Sequence, residues 1–380
     1  MTSRRNFLSL VGGGVVLAAT AGAWAATRDP SGARRPWEIA GQGMDARRRA
    51  LSYAVLAPNP HNRQPWLADL SVSDEIALYC DPDRRLPETD PFDRQITIGL
   101  GCFLELLEMA AAQDGLRAAV TLFPDGEPQP RLDERPVARI RFSADGPVEG
   151  DPLFAHVLDR RSNKEPYDVG RPVDDAGLAA VAGAARTVGT AWTADPERVA
   201  ALRDQAWQAM HLEISTTRTA KESIDLIRIG KAEIEANPDG IDLSGAFIEM
   251  LALTGLLDKQ DMLDPSSAAF SQQLPILKAP FNTAMAFLWT TTRGNGRAEQ
   301  IAAGRDHLRI NLAATAAGLA IQPFSQALQE FSEMQPHREA MRAALGVQAD
   351  ETLQMFCRLG YGPEVAAAPR WPSETRIHGT

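Results

Sequence analysis

Two segments of this chain, 203 residues apart, carry one pattern twice. The first runs from Gly101-Cys102-Phe103-Leu104 through Leu107 and Ala110-Ala111 to Gly115-Leu116. The second runs from Gly304-Arg305-Asp306-His307 through Leu308, Leu312 and Ala313-Ala314 to Gly318-Leu319. In each, apolar residues recur at helical spacing (Leu100, Phe103, Leu107, Ala110; Ile301, Leu308, Leu312, Thr315, Leu319), and a glycine 14 positions after the first stands where a left-handed residue closes a helix. Both segments then pass to a short strand-like run. A repeat of this kind restricts the chain to two like halves.

An earlier pair fits the same scheme, since Leu51–Asp69 ends Trp66-Leu67-Ala68-Asp69 and Leu178–Asp195 ends Trp192-Thr193-Ala194-Asp195. That pair is 126 apart, so 77 further residues must be inserted in the second copy, and they fall at about 215–293. The insertion holds a turn at Asn237-Pro238-Asp239-Gly240 and an apolar helical run from Gly245 to Leu257, and reads as a lid or packing arm. Residues 144–152, rich in turn formers, are the linker. The division is 26–150 for the first half and 151–380 for the second.

Residues 1–25 read as an address. Ser3-Arg4-Arg5-Asn6-Phe7-Leu8 precedes an uncharged stretch with Gly12-Gly13-Gly14 inside it and Ala23-Trp24-Ala25 near its end, the pattern of a twin-arginine signal peptide. The expectation is export through the twin-arginine machinery to the periplasm or cell envelope, with any cofactor loaded first. An ordinary membrane anchor is the plainer alternative.

Charge excludes one broad class of partner. Lys and Arg number 39 against 49 Asp and Glu, a net charge of −10, the wrong sign for neutralising phosphates along a nucleic acid. The six histidines show no paired spacing and the three cysteines, Cys80, Cys102 and Cys357, no CxxC, so no metal site is expected; one disulfide is left open. Small-molecule chemistry is the default.

Two stretches carry that chemistry. Ala57-Pro58-Asn59-Pro60-His61-Asn62-Arg63-Gln64-Pro65-Trp66 cannot extend the helix before it, so it turns and is expected to present Asn59, His61, Asn62 and Gln64 with donors and acceptors free. Leu158-Asp159-Arg160-Arg161-Ser162-Asn163-Lys164 places Arg160, Ser162 and Lys164 at alternate positions, which in an extended segment points all three to one side, with Arg161 beside them. Two guanidinium groups, a hydroxyl and an ammonium suit a phosphate. Taken singly, each stretch reads as a plain surface loop.

Together they resemble the nitroreductase family of FMN-dependent oxidoreductases. The family's R-x-S-x-K/R turn is matched by Arg160, Ser162 and Lys164. Its P-S-x-x-N-x-Q-P-W loop is matched by Pro58, Asn62, Gln64, Pro65 and Trp66, with Asn59 in place of the serine. Gly318-Leu319-Ala320-Ile321-Gln322-Pro323-Phe324-Ser325 is similar to the family's GL-x-x-x-P segment. Leu359-Gly360-Tyr361 followed by Pro369-Arg370-Trp371-Pro372 is similar to its closing element. Arg94 stands near where members carry a cation over the flavin.

The resemblance implies an α+β class chain, a nitroreductase-like αβα sandwich in two tandem halves forming a monomeric pseudo-dimer of Acg type. Residues 184–192 lack the amides of the first loop, so one complete FMN site is expected. It further implies that Arg160, Ser162, Lys164 and Arg370 hold the phosphate, Asn59, Asn62 and Gln64 line the ring, and the backbone around Pro323, Phe324 and Ser325 meets flavin N5. The implied activity is electron transfer from NAD(P)H or another donor to a small organic acceptor such as a nitroaromatic or quinone, with no catalytic side chain. The alternative is an FMN-sequestering protein without turnover.

Overall fold

The computed structural model describes residues 27–43, 45–255 and 257–378; the signal read at 1–25 lies outside them. Asp45 opens helix α1 (Ala46–Ala54) by accepting a hydrogen bond from the Arg47 N–H. The chain then bends through 57–65 into β1 (Trp66–Asp69) and β2 (Glu75–Cys80). A long helix, α2 (Arg94–Gln113), follows, and then β3 (Arg117–Leu122) and β4 (Ala138–Ser143). The strands are antiparallel and stand in the order β1-β2-β4-β3.

The second half repeats this route. Helix α3 (Asp175–Ala182) leads to β5 (Gly189–Thr193). A long excursion intervenes: α4 (Pro196–Ser215), α5 (Thr217–Asp225), β6 (Ile227–Ile229), α6 (Gly230–Ala236), β7 (Ile241–Leu243), α7 (Ala246–Leu253) and α8 (Ala268–Asn282). Strand β8 (Ala286–Arg293), helix α9 (Arg297–Ala316), β9 (Ala320–Pro323), α10 (Gln335–Leu345) and β10 (Glu351–Gly360) complete it. Its sheet order is β5-β8-β10-β9, again antiparallel throughout, so strands of equal rank occupy equal places. The chain is thus α+β, as the resemblance implied, and in two like halves, as the repeat implied.

Along β8, Ala286 and Leu288 face a core with α3 and α9, while Phe287 and Trp289 face a second core with α4 and α10. That alternation makes the αβα layering. It also corrects the boundaries expected for the insertion. The chain departs from the repeat at Pro196, just after β5, and rejoins it at β8, a strand of the second sheet; the range 215–293 therefore starts only at the last residue of α4 and takes in the whole of β8.

Helices α2 and α9 cross at the centre of the molecule, with Ile301, Leu308 and Leu312 of α9 sharing the core of the first sheet and Ile98 of α2 the core of the second. Both end on the expected left-handed glycine: Gly115 has φ +71° and Gly318 φ +68°. Leu116 N–H then donates to Ala111 O, and Leu319 N–H to Ala314 O, at matched positions. Among the described residues α2 is the one helix long and apolar enough to cross a membrane, but it is a buried core helix here. The three cysteines are buried and unpaired, so the disulfide left open is not formed.

After β10 the chain returns to the first half. Arg370 N–H donates to Ala33 O, Trp37 Nε1 donates to Ala368 O, and β11 (Ile377–His378) joins the first sheet parallel to β1. This tail lays the closing motif against the loop 57–66.

Candidate functional site

Arginine and amide stretches meet at this seam. Arg160 Nη2 donates to Leu56 O at 2.9 Å, and Arg370 Nη2 to the same carbonyl at 3.2 Å and to Ala57 O at 3.1 Å. Arg370 Nη1 reaches Asn62 Oδ1, Asn62 Nδ2 donates to Pro369 O, and Trp371 N–H donates to Gln64 Oε1 at 2.9 Å. Arg160, Arg161 and Arg370 all stand over the indole of Trp37, at 5.6, 5.1 and 5.5 Å from its centroid.

Arg160 and Arg370 are each 3% exposed, and among the described residues neither has a carboxylate at ion-pair distance. The Nε–H of both is buried and without a partner. Burial pulls the Arg160 guanidinium down to about 10, Arg161 pushing the same way, and burial with the nearby Arg160 pulls Arg370 down to about 9. Two buried cations with spare donors and no carboxylate at ion-pair distance among the described residues, Asp242 acting on Arg370 only from further off, form a site suited to an anion.

The backbone of the amide loop is strained. His61 (φ 48°), Asn62 (φ 52°) and Gln64 (φ 52°) all lie in the left-handed region, which side chains other than Asn rarely adopt. Such strain persists only where the surroundings over-determine it, and it clusters at functional sites. Here the surroundings are explicit. Asn59 Oδ1 accepts from Gln64 N–H at 2.7 Å, Gln64 Nε2 donates to Pro238 O of the insertion at 2.7 Å, and Gly99 of α2 packs on Asn59 and Pro60. The amides expected to stand free are therefore all engaged, because the loop must be tied to the tail and the insertion to hold this shape.

The alternation expected for Arg160, Ser162 and Lys164 does not occur. Arg160 is buried, Ser162 half-buried and Lys164 exposed, while Asn163 is buried, its N–H donating to Ile321 O at 3.0 Å and its Nδ2 to Pro363 O at 2.8 Å. The segment is irregular, so period two does not apply. The Asn163–Ile321 bond does bring the turn beside β9 and hence beside Pro323. Phe324, though, is buried in the second core, stacked on Phe281 at 4.1 Å, and Ser325 stands just ahead of a short helical turn. Arg161 is half-buried and donates to Leu158, Arg160 and Val365 carbonyls.

Arg94 lies elsewhere. At the start of α2 it donates to Gln354 O at 2.9 Å and Leu328 O at 2.9 Å, with Glu330 at 3.4 Å, and shares no contact with Arg160 or Arg370. Its counterpart 203 residues on, Arg297 at the start of α9, donates to Pro128 O and Pro130 O of the first half. The two arginines are reciprocal ties between halves.

Three participants were missed in the sequence. Trp37 lies far from either motif. Ser223 and Glu213, in the insertion, meet His61: His61 Nε2 and Ser223 Oγ are 3.2 Å apart, and Ser223 donates to Glu213 Oε1 at 3.2 Å. Neither has a motif of its own, and only the folded insertion brings them here. Burial takes His61 down to about 4, helped by Lys164 and Arg63, so its imidazole is neutral at neutral pH.

No family model matches the chain. Over 355 residues, 88% of this chain and 96% of the relative, it is 28% identical to a protein of Mycobacterium tuberculosis H37Rv provisionally named NAD(P)H nitroreductase Acg. It is 27% identical over 349 residues, 86% of this chain and 92% of the relative, to a second protein of that organism, provisionally named NAD(P)H nitroreductase Rv3131. Among solved structures, the FMN-dependent nitroreductase NfnB from Mycobacterium smegmatis in complex with NADPH is 15% identical, with a TM-score of 0.34, over 60% of this chain and 98% of that one. A structure from Anabaena variabilis provisionally named a nitroreductase is 11% identical, with a TM-score of 0.41, over 87% of this chain and 91% of that one.

Proposed function

We propose that this chain, a relative of the Acg-type nitroreductases along nearly its whole length, is an FMN-dependent oxidoreductase that moves electrons from NAD(P)H or another donor to a small organic acceptor, a nitroaromatic or a quinone. One observation carries the reading: two buried guanidinium groups, Arg160 and Arg370, with spare Nε–H donors and, among the described residues, no carboxylate at ion-pair distance, joined by hydrogen bonds to a strained amide loop and its entry.

These residues fit a flavin phosphate and its polar ring edge. Arg160 and Arg370 would neutralise the phosphate, which returns to each the charge partner that burial denies it; Ser162 and Lys164, at the rim of the turn, would complete the cradle. Asn62 and Gln64, whose amides are committed to the tail and the insertion, would hold the loop in shape beside the ring, and because Phe324 N–H donates to Phe356 O, the backbone donor after Pro323 would be Ser325 N–H. Bound there, FMN supplies reversible two-electron chemistry and the protein sets its orientation and electrostatics. Residues of the insertion, Pro238 on Gln64 and Ser223 on His61, would keep water from the site.

The wider reading follows the same lines. The equal strand order of the halves and their matched helix ends support a tandem duplication in which one of two flavin sites survives. Residues 1–25 serve as a twin-arginine signal that delivers the folded, loaded protein to the periplasm or cell envelope. The insertion clamped over the amide loop also favours a second reading, an FMN-sequestering protein, since a closed cover suits retention as well as turnover.

The purified full chain decides among these. A yellow protein whose flavin is bleached by NAD(P)H and restored by a quinone or nitroaromatic supports the enzyme. Bound flavin inert to both supports sequestration, and a colourless protein that takes up no FMN rejects both.

A further inference from the structure

His61 belongs to a hydrogen-bonded line that crosses three parts of the fold. It starts on the strained loop of the first half, passes to Ser223 of α5 at 3.2 Å, then to Glu213 of α4 at 3.2 Å, and ends on Gln329 of the second half, whose Nε2 donates to Glu213 Oε2 at 2.8 Å. Glu213 and Gln329 are each 3% exposed. Buried carboxyls are ordinarily paired with a cation, and this one has only neutral partners. Burial lifts it to about 7, against the lowering by Gln329 and Ser223, with Glu222 adding to the rise. The charged groups facing the line are Glu222 on the Glu213 side and Lys164 and Arg63 on the His61 side.

We propose that Glu213, acting through the Ser223 hydroxyl, sets which nitrogen of His61 carries the proton and feeds a proton through that line to whatever is reduced beside the amide loop. The geometry permits two states. With Glu213 ionised, Ser223 donates to its carboxylate and must accept from His61, so the imidazole holds its proton on Nε2 and offers a bare Nδ1. When Glu213 is protonated, its O–H donates to Ser223, Ser223 donates to His61 Nε2, and the proton moves to Nδ1. In that second state the imidazole carries its donor on Nδ1, away from Ser223. Loss of the Nδ1 proton to a reduced, anionic acceptor is balanced by Ser223 passing its proton to Nε2 and Glu213 passing its own to Ser223. One N–H and two O–H bonds break and three form, the acceptor gains one proton, and Glu213 is left as carboxylate with no net change on His61 or Ser223. Glu213 and Ser223 are positioning residues in this scheme, since only His61 belongs to the loop.

The placement of the acceptor rests on the flavin reading above; the tautomer control does not. It is therefore tested on the full chain stripped of any cofactor, with 15N-labelled histidine and nitrogen–proton correlation spectra recorded from pH 5.5 to 8.5. The expected result is a neutral His61 that changes from the Nδ1–H to the Nε2–H form with a midpoint near 7. Glu213→Gln, whose amide can only donate to Ser223 while its oxygen keeps Gln329, should hold His61 as Nδ1–H at every pH. Ser223→Ala, at a half-buried position, should abolish the change as well. A changeover that survives either substitution, or a native His61 locked in one form throughout, overturns the proposal. A stripped protein that takes up no FMN when it is supplied and still shows the changeover would sink the flavin reading and leave this one standing.

Discussion

Gly101 and Gly304 lie face to face where α2 crosses α9, and each fills the place of the other's missing side chain. A Cβ on Gly101 would stand 3.0 Å from Gly304 Cα and overlap Ile301 O; one on Gly304 would stand 2.9 Å from Gly101 Cα and overlap Ile98 O. The obstacle in each case is backbone, which cannot move aside without separating the helices. Gly101→Ala or Gly304→Ala should therefore cost about 3 kcal/mol or more. Gly115→Ala, with open space around it and only the left-handed backbone to oppose it, should cost about 1 kcal/mol. Denaturant unfolding of the three variants measures both, and equal losses at the three positions would show that the crossing is not tight.

That contact explains why so much of the fold was legible. The glycines that align the repeat are the residues through which its two copies touch, and Ile98 and Ile301 repeat at the same interval. The closing glycines were legible for a local reason, the left-handed residue that ends a helix. The site was less so. Motif matching brought Arg160, Arg370, Asn62 and Gln64 together, but the alternation rule failed at 160–164 because that segment is not a strand. Arg94 was drawn to the flavin by spacing alone, whereas the chain uses it, like Arg297, as a tie between halves. Glu213 and Ser223 could not be read at all, since their meeting with His61 depends on how some ninety inserted residues fold back.

Arg160 is held for a ligand more than for the fold. Among the described residues its side chain's one hydrogen bond goes to Leu56 O, which Arg370 also serves, and its guanidinium is buried beside another cation. Arg160→Met keeps apolar contact with Trp37 and removes the crowded charge. Flavin retention should weaken by about 2–3 kcal/mol, the worth of a charge-assisted contact to a buried phosphate, while the flavin-free protein melts no lower than the native one. Unchanged retention after dialysis would reject the anion site.

Asp239 fastens the insertion. Its carboxylate, 6% exposed, meets Arg63 at 3.2 Å, Arg84 at 2.9 Å and Arg228 at 3.0 Å, the first two from the first half. Asp239→Asn leaves three guanidinium groups facing one another and should destabilise the chain by about 3 kcal/mol. The loss should be concentrated at the clamp. Hydrogen exchange should quicken at Gly240 N–H, which donates to Asn62 O, before it does at the strands of either sheet. Exchange that quickens evenly over the molecule would mean that the clamp is no separate unit.

The buried ionisable groups fix how stability moves with pH. His61 and His307 are both taken by burial from 6.5 to about 4, so they must fold neutral; what they contribute is complete above 6.5 and is lost as the pH falls through 4. Glu213 has the opposite sense. Raised by burial from 4.5 to about 7, it contributes fully below 4.5 and loses that contribution as the pH climbs through 7, on the order of 3 kcal/mol in all. Native protein should thus lose stability on the alkaline side relative to Glu213→Gln, whose neutral amide never ionises. Urea unfolding of the pair from pH 5 to pH 8 isolates the term, because His61, His307 and every other titrating group are common to both. A native-minus-variant difference that stays level across that range would mean Glu213 ionises as freely in the fold as in the unfolded chain, and that water reaches it between α4 and α5.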